Sequence, residues 1–484
     1  METIPNDMIL VIFNLLPVYD LIQMAHLSKS FYKRVKTNKW NCIIDIYDSK
    51  YIETVTEKYN FVSISLHKIE IIYSHILFLQ KYQTIKFYDC NTIKNTHLKY
   101  FKYCDTLGLS GCELITDKGL KYLTHLQSIN LSYCSSITDT GLQYLSRLQN
   151  INLTGCPLIT DKGLRHLSGL QKINLSDCEL ITDKGLKYLT NCQSLKLADC
   201  QITNKGLQYL TQCLSLSLSG CDKIQNISIL RNCHSLYLSG CDISDNDIKH
   251  LDHCHTLDIS YCEKITDNGI AYVKGCQILN ISFCLEVTDI GIKYLTGCKI
   301  LDISYCAFVT DNSVKYLGNC HTLNISNCCL VTDRSIRRLG RCHTLDLSCC
   351  FKITDKILKY LQNCYSLNLS HCRLITDFGL KYLRHCHILS FSGCASITDD
   401  GITHLQNCHT LSFNRCMKIT DNGMKWLSKC HTLDLSFCKL ITDEGIKYLI
   451  NCRNLTVRGC TVTKNSVKKL DKCHTVIFGS DHEY

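Results

Sequence analysis

Between residues 82 and 481 the apolar positions follow two alternating rhythms that restart about every 22 residues. In Leu126–Cys134, LQSINLSYC, Ile129 and Leu131 are two apart, the spacing that puts both side chains on one face of an extended strand. In Ile137–Leu145, ITDTGLQYL, Leu142 and Leu145 are three apart, and Thr138 or Asp139 stands where a helix's first turn is capped. Each unit thus predicts a strand, a turn and a short helix. Neither half can bury its apolar side alone. Stacking the units lays the strands side by side about 4.8 Å apart as a parallel sheet and closes one continuous core. Helices are wider than strands, so the expected fold is an α/β horseshoe solenoid with parallel strands inside and helices outside. Counting first-position residues from Tyr82 through Cys104 and Leu126 to Cys473 predicts 19 strands.

Cysteine marks this period. One recurs from Cys90 to Cys460, eighteen in all; fifteen more replace the first leucine of the strand motif, and only Cys42, Cys329 and Cys349 of the 36 stand elsewhere. Cysteine is small, apolar and often fully buried, so these ladders are expected to pack the two ends of every strand. Eight of them precede histidine, as in Cys320-His321 and Cys342-His343, which raises a metal reading. Adjacent residues on extended chain point to opposite sides, and the tight C-x-x-C plus H-x-x-x-H spacing of zinc sites is absent. No metal or cofactor is expected.

The spacing breaks once: Cys200 to Cys221 is 21 residues, Cys221 to Cys241 is 20 and Cys241 to Cys262 is 21, and DKIQNISILRN loses its I-T-D-x-G start. A hinge, a seam between two arcs and simple drift are all open there.

The run L-x-x-L-x-L-x-x-C followed by I-T-D-x-G-L resembles the cysteine-containing class of leucine-rich repeat. The chain's start resembles another family. In IPNDMILVIFNLLPVYDLIQMAHLSKSFYKRVKTNKW, Pro5, Asp7, Ile12-Phe13, Leu16-Pro17, Asp20-Leu21, Ala25, Leu27-Ser28, Phe31-Tyr32 and Trp40 fall on the pattern of the F-box, a small all-α module. Phe31 departs from the family's usual tryptophan. Physically, Pro5 can start a helix, Met8, Ile9, Ile12, Phe13 and Leu16 form an apolar stripe, and Pro17 interrupts the chain before a second helix from Asp20. So short a module carries more apolar surface than it can hide, which a partner surface would cover. The resemblance implies that this partner is a Skp-type adaptor leading to a cullin, and it places adaptor binding on Pro5, Ile9, Ile12, Leu16, Pro17 and Leu21. The expected organisation is an F-box over residues 1–40, a degenerate capping repeat over 41–81 with FVSISLHKI as strand and IEIIYSHILFLQ as helix, and cysteine-containing repeats over 82–484.

Length and composition narrow the function. A chain of 484 residues suits one elongated repeat domain with a small N-terminal module, and its 3 prolines supply no proline-rich linker. No apolar run reaches the 18 or so residues that span a bilayer, and Glu2 and Asp7 precede the first apolar stretch. Neither a membrane span nor a secretory signal is expected. So many cysteines then point to a reducing compartment, cytoplasmic or nuclear. Richness in Ile, Lys, Asn and Tyr fits the AT-rich genome of a protist or a large virus, and the compartment would be the host's if the source is viral. The net charge of +10 is spread over lysines expected on helix positions, such as Lys118, Lys121, Lys184 and Lys187, rather than clustered with aromatics, so nucleic acid is not an expected partner. Serines and histidines recur at repeat-locked positions and form no catalytic constellation, so the chain is not expected to be an enzyme.

Specificity is expected where the polar strand face breaks its monotony. Asp258, Asp302, Asp346 and Asp434 place charge in the central column, and Tyr133, Tyr261, Phe283, Tyr305 and Phe437 stand just before the repeat cysteine, where glycine is also common. Asp258, Tyr261, Phe283, Asp302, Tyr305 and Asp346 fall within five consecutive repeats and form the candidate target-binding set, suited to a basic protein segment. The bland alternative is that the rings cover the strand-to-turn corner and the aspartates bond neighbouring serines. The reading the two resemblances imply is a substrate receptor of an SCF-type (Skp/cullin/F-box) ubiquitin ligase; the alternative is a non-catalytic scaffold or inhibitor that uses the repeats alone.

Overall fold

The computed structural model describes residues 39–478 other than 468, 471, 472 and 474. The chain divides into two compact units, one ending at Cys233 and the other starting at His234. This division falls within the irregular repeats between Cys200 and Cys262.

In the first unit the strands run β1 (Lys39–Ile46), β2 (Asn60–His67), β3 (Thr84–Tyr88), β4 (Thr106–Ser110), β5 (Ser128–Asn130), β6 (Asn150–Asn152), β7 (Lys172–Asn174), β8 (Ser194–Lys196) and β9 (Ser215–Ser217). Each pairs in parallel with the next. The second unit continues the rule from β10 (Ser235–Tyr237) to β21 (Thr475–Ile477). The strands from β3 to β21 are the 19 that the first-position residues count. Both units are thus leucine-rich-repeat solenoids of parallel strands with helical turns between them.

Residues 41–81 hold more than one strand and one helix. β2 and the helix Tyr73–Leu79 occupy the expected segments, and β1 followed by the helix Tyr51–Lys58 precedes them. Trp40, which the sequence pattern assigned to the F-box, lies in β1 opposite Phe61 and is fully buried.

Within a repeat the apolar positions close inward as their spacing requires: Leu126, Ile129, Leu131, Cys134, Ile137, Leu142 and Leu145 are all buried. Most helices shrink to a single turn, as in Asp139–Leu142. Thr138 caps that turn, accepting from the Thr140 amide at 3.2 Å. Asp139 instead reaches the next repeat, where it accepts from the Thr160 amide at 2.8 Å and the Thr160 hydroxyl at 2.6 Å. The same joint recurs from Asp117 to Thr138 and on to Asp183 with Thr203, then again from Asp245 with Thr266. In the interval Asn204 takes the role with weaker bonds, accepting from the Gln225 and Asn226 amides at 3.0 and 3.3 Å.

The joint explains the repeated glycine. A Cβ added at Gly163 would lie 2.4 Å from Asp139 Oδ1. Where serine replaces it, at Ser313 and Ser335, the hydroxyl donates to the same aspartate position, Asp289 and Asp311.

The cysteines do more than fill space. Cys134 Sγ donates to the Leu109 carbonyl at 3.0 Å, a group that also accepts from the Cys112 amide, and Cys156 and Cys178 repeat this contact one unit further on. The first-position thiols form a second ladder, Cys298 to the Cys276 carbonyl and Cys276 to the Cys254 carbonyl. Burial pushes most of the thiols up, Cys134 to about 11 and Cys156 to about 12, while the side-chain bond between Cys254 and Cys276 moves the first down and the second up. Of the cysteines whose burial is described only Cys329 is exposed, with Cys349, Cys460 and Cys473 half-buried.

Candidate functional site on the strand face

Period-two alternation turns one set of side chains in every strand away from the core. In the second unit the central column, in register, reads Asp258 on β11 (Thr256–Asp258), Asn280 on β12 (Ile278–Asn280), Asp302 on β13 (Ile300–Asp302), Asn324 on β14 (Thr322–Asn324), Asp346 on β15 (Thr344–Asp346) and Asn368 on β16 (Ser366–Asn368). Each aspartate Oδ1 accepts from the amide and hydroxyl of the serine two residues on: Ser260 at 3.0 and 2.7 Å, Ser304 at 2.9 and 2.7 Å, Ser348 at 2.8 and 2.6 Å. Those bonds draw the third column inward, and Ser260 and Ser304 are buried rather than presented. Asp302 and Asp346 also receive the side-chain amides of Asn324 and Asn368, each at 2.8 Å, through Oδ2. Asp258 bonds through Oδ1 alone. All three carboxylates bond the neighbouring serines, as the bland reading had it, but remain half-exposed on the face.

Tyr261, Phe283 and Tyr305 come together as a stack beside this column. The Tyr261 and Phe283 ring centroids are 4.2 Å apart and those of Phe283 and Tyr305 4.0 Å, with planes within 17°. The backbone there is left-handed, φ 59, 61 and 62°. At the corresponding corner Gly240 and Gly393 adopt φ 71°. Bulky side chains rarely occupy this region, and holding one there costs on the order of 1–3 kcal/mol. The rings are not hidden by stacking: Tyr261 is 54% and Tyr305 42% exposed. The outlying members share the local geometry but stand outside the stack. Tyr133 is 60% exposed and neighbours Gly155, Asp434 bonds Ser436, and Phe437 lies under the Arg415 guanidinium at 5.2 Å.

At the other end of the strands the Cys-His pairs part as adjacent extended residues should. Cys342 is buried while His343 is exposed and stacks between His321 at 4.6 Å and Tyr365 at 4.8 Å. Among the described residues no group of three or more His, Cys, Asp or Glu is placed to hold a metal ion, and no helix is long and apolar enough to cross a membrane.

The first unit has a face of opposite character, which the sequence reading missed. Its central column is Lys86, Gly108, Asn130, Asn152, Asn174 and Lys196, in register. These residues line a groove of about 450 Å³ that also takes in Lys172. The signal was present in the sequence, as lysines and asparagines at one repeat position with no acidic residue among them.

The adaptor-binding residues Pro5, Ile9, Ile12, Leu16, Pro17 and Leu21 lie outside the described residues. That segment is reached by comparison with known proteins. Residues 1–43 match the F-box domain, and residues 122–146, 169–189, 191–210, 255–273 and 431–449 match the leucine-rich repeat. No curated protein matches the chain. Among solved structures, that of the TLR13–ssRNA13 complex is similar in fold, with a TM-score of 0.58 at 19% identity over 88% of this chain and 66% of that one. The Rad7–Elc1 complex in yeast gives a TM-score of 0.43 at 18% identity over 68% of this chain and 85% of that one. The chain therefore joins an F-box domain at its N terminus to leucine-rich repeats, the make-up of an F-box protein that mediates protein–protein interaction.

Proposed function

We propose that the chain is the substrate-recognition subunit of an SCF-type ubiquitin ligase. The observation that carries this reading is the F-box match at residues 1–43 in one chain with long leucine-rich-repeat faces. F-box domains bind Skp-type adaptors. Here Pro5, Ile9, Ile12, Leu16, Pro17 and Leu21 would make that contact, the adaptor would lead to a cullin, and the ubiquitin chemistry would belong to other subunits. Residues 41–81 would close the exposed end of the repeat core ahead of the repeats that begin at 82. The many free thiols suit the cytoplasm or nucleus. Pull-down of the full chain from a eukaryotic lysate should recover a Skp-type adaptor and a target; removing residues 1–40 should lose the adaptor and keep the target. A full chain that recovers a target but never an adaptor would instead be a scaffold or inhibitor.

The target site of this reading is the ring ladder with its carboxylates: Asp258, Tyr261, Phe283, Asp302, Tyr305 and Asp346. Three stacked rings on consecutive repeats, with Tyr261 and Tyr305 left exposed beside half-exposed carboxylates, favour a contact over a mere corner cover. Replacing Tyr261 and Tyr305 together by glycine suits the corner backbone and removes the anchors. Recovery of the target in the same pull-down should weaken by roughly 2–4 kcal/mol, about thirtyfold to a thousandfold, with the circular dichroism spectrum unchanged. Undiminished capture would move the site, with Phe437 next to test.

A further inference from the structure

We propose that the strand face of the first unit docks an extended, Asp- and Glu-rich segment of a partner protein, whether or not the chain docks an adaptor. The argument rests on how the asparagines are held. Asn130 Oδ1 accepts from the Ser132 amide at 2.9 Å, Asn152 Oδ1 from the Thr154 amide and hydroxyl at 3.0 and 2.6 Å, and Asn174 Oδ1 from the Ser176 amide and hydroxyl at 3.0 and 2.8 Å. With each oxygen turned down onto its own strand, each Nδ2 is left as the outward group, so the column presents donors only. Lys86 and Lys196 stand at its two ends and Lys172 in the neighbouring column; none of the three forms an ion pair with an Asp or Glu of the described chain. Adjacent donors are one strand apart, about 4.8 Å, and Gly108, with no side chain, opens the groove between Lys86 and Asn130.

In the second unit the same column alternates Asp with Asn, and two of its carboxylates accept the next repeat's amide. The first unit lacks those carboxylates, so a ligand has to bring them. Charge-assisted bonds from amide and ammonium donors to carboxylate oxygens are the chemistry this line offers.

A single-stranded nucleic acid fits less well. It needs ring faces on which bases stack. The one aromatic lining this groove, Tyr88, is already stacked on His67 at 4.8 Å.

The test uses the full-length protein and a dye-labelled peptide of alternating Glu and Ser, followed by fluorescence anisotropy. Binding that weakens with added salt is expected. Two pairs of substitutions, Lys172→Glu with Lys196→Glu and Asn152→Asp with Asn174→Asp, should each reduce it about tenfold or more. The second pair keeps an oxygen to accept from Thr154 and Ser176, as aspartate does for serine in the second unit, and an unchanged circular dichroism spectrum is the check that two neighbouring carboxylates leave the fold intact. Competing oligouridylate should displace the peptide poorly. The proposal is overturned if the peptide does not bind, if both pairs bind it as the parent does, or if oligouridylate binds more tightly than the peptide.

Discussion

Titrated from pH 7 to pH 10, the protein unfolds cooperatively between about pH 8.5 and 9.5, and cysteine sets that limit. An unfolded thiol ionises near pH 8.5, whereas burial holds most of the folded ones at values such as about 11 for Cys192 and about 12 for Cys262. Because the folded value is raised, the stabilisation is complete below the unfolded value and drains away as pH rises toward the folded one. With 28 buried cysteines raised in this way, half-ionisation of the unfolded chain at pH 8.5 removes on the order of 11 kcal/mol over both units, and pH 9 about twice that. Ten of these cysteines lie in the first unit and 18 in the second, so at pH 9 the deficit is on the order of 8 and 15 kcal/mol, comparable with the about 5–15 kcal/mol that a native domain holds, and it is decisive. Circular dichroism against pH is the measurement, with thiol titration beside it. At neutral pH a thiol reagent should react quickly with Cys329 and the half-buried thiols only, and with close to all 36 after denaturation. A protein still folded at pH 10.5 would show that the thiols do not titrate differently in the two states.

The second large effect lies at the N terminus. Replacing Leu16 and Pro17 by alanine should abolish recovery of the Skp-type adaptor and leave target capture intact. On the proposed reading Leu16 contributes apolar area and Pro17 sets the break between two helices, so the pair removes both an anchor and the geometry that presents Ile12 and Leu21. The repeats from Tyr82 onward form their own core and should keep their circular dichroism and melting temperature. Retention of the adaptor by this variant would count against docking through this surface.

The sequence carried the repeat more fully than the site. A period near 22 residues was enough to number the strands from β3 on and to name core positions such as Ile129 and Leu131. It did not separate Thr138 from Asp139. Both suit a helix start, and only stacking shows that the aspartate serves the neighbouring repeat, because the reach to Thr160 is a distance between repeats. β1 was missed because Lys39–Ile46 precedes the periodic part and overlaps the F-box pattern, so no rhythm marked it as a strand. The central aspartates were legible as charges but not as acceptors. Their serine bonds depend on backbone geometry, and the bonds from Asn324 and Asn368 on register. The ring stack was legible only as a recurring position; the corner backbone is left-handed in other repeats too, at Asp177, Asn327, His371 and Arg415 as at the glycines, so φ alone does not select the rings.

The aspartate-to-threonine joint also bears on how such a chain can change its length. A repeat takes its acceptor from the neighbour before it and passes an identical one to the neighbour after it, so its two ends match the ends of every regular repeat. Excising one whole unit, for instance from Asp139 to Thr160, brings together groups that already fit, and the joint also absorbs the loss of one residue, since Asp183 and Thr203 keep the same bonds across a spacing one residue shorter. Duplication and loss of whole repeats are therefore steps that this joint tolerates. Residues that differ from their counterparts in other repeats, such as Tyr261 or Lys196, are the ones a recombination event would erase.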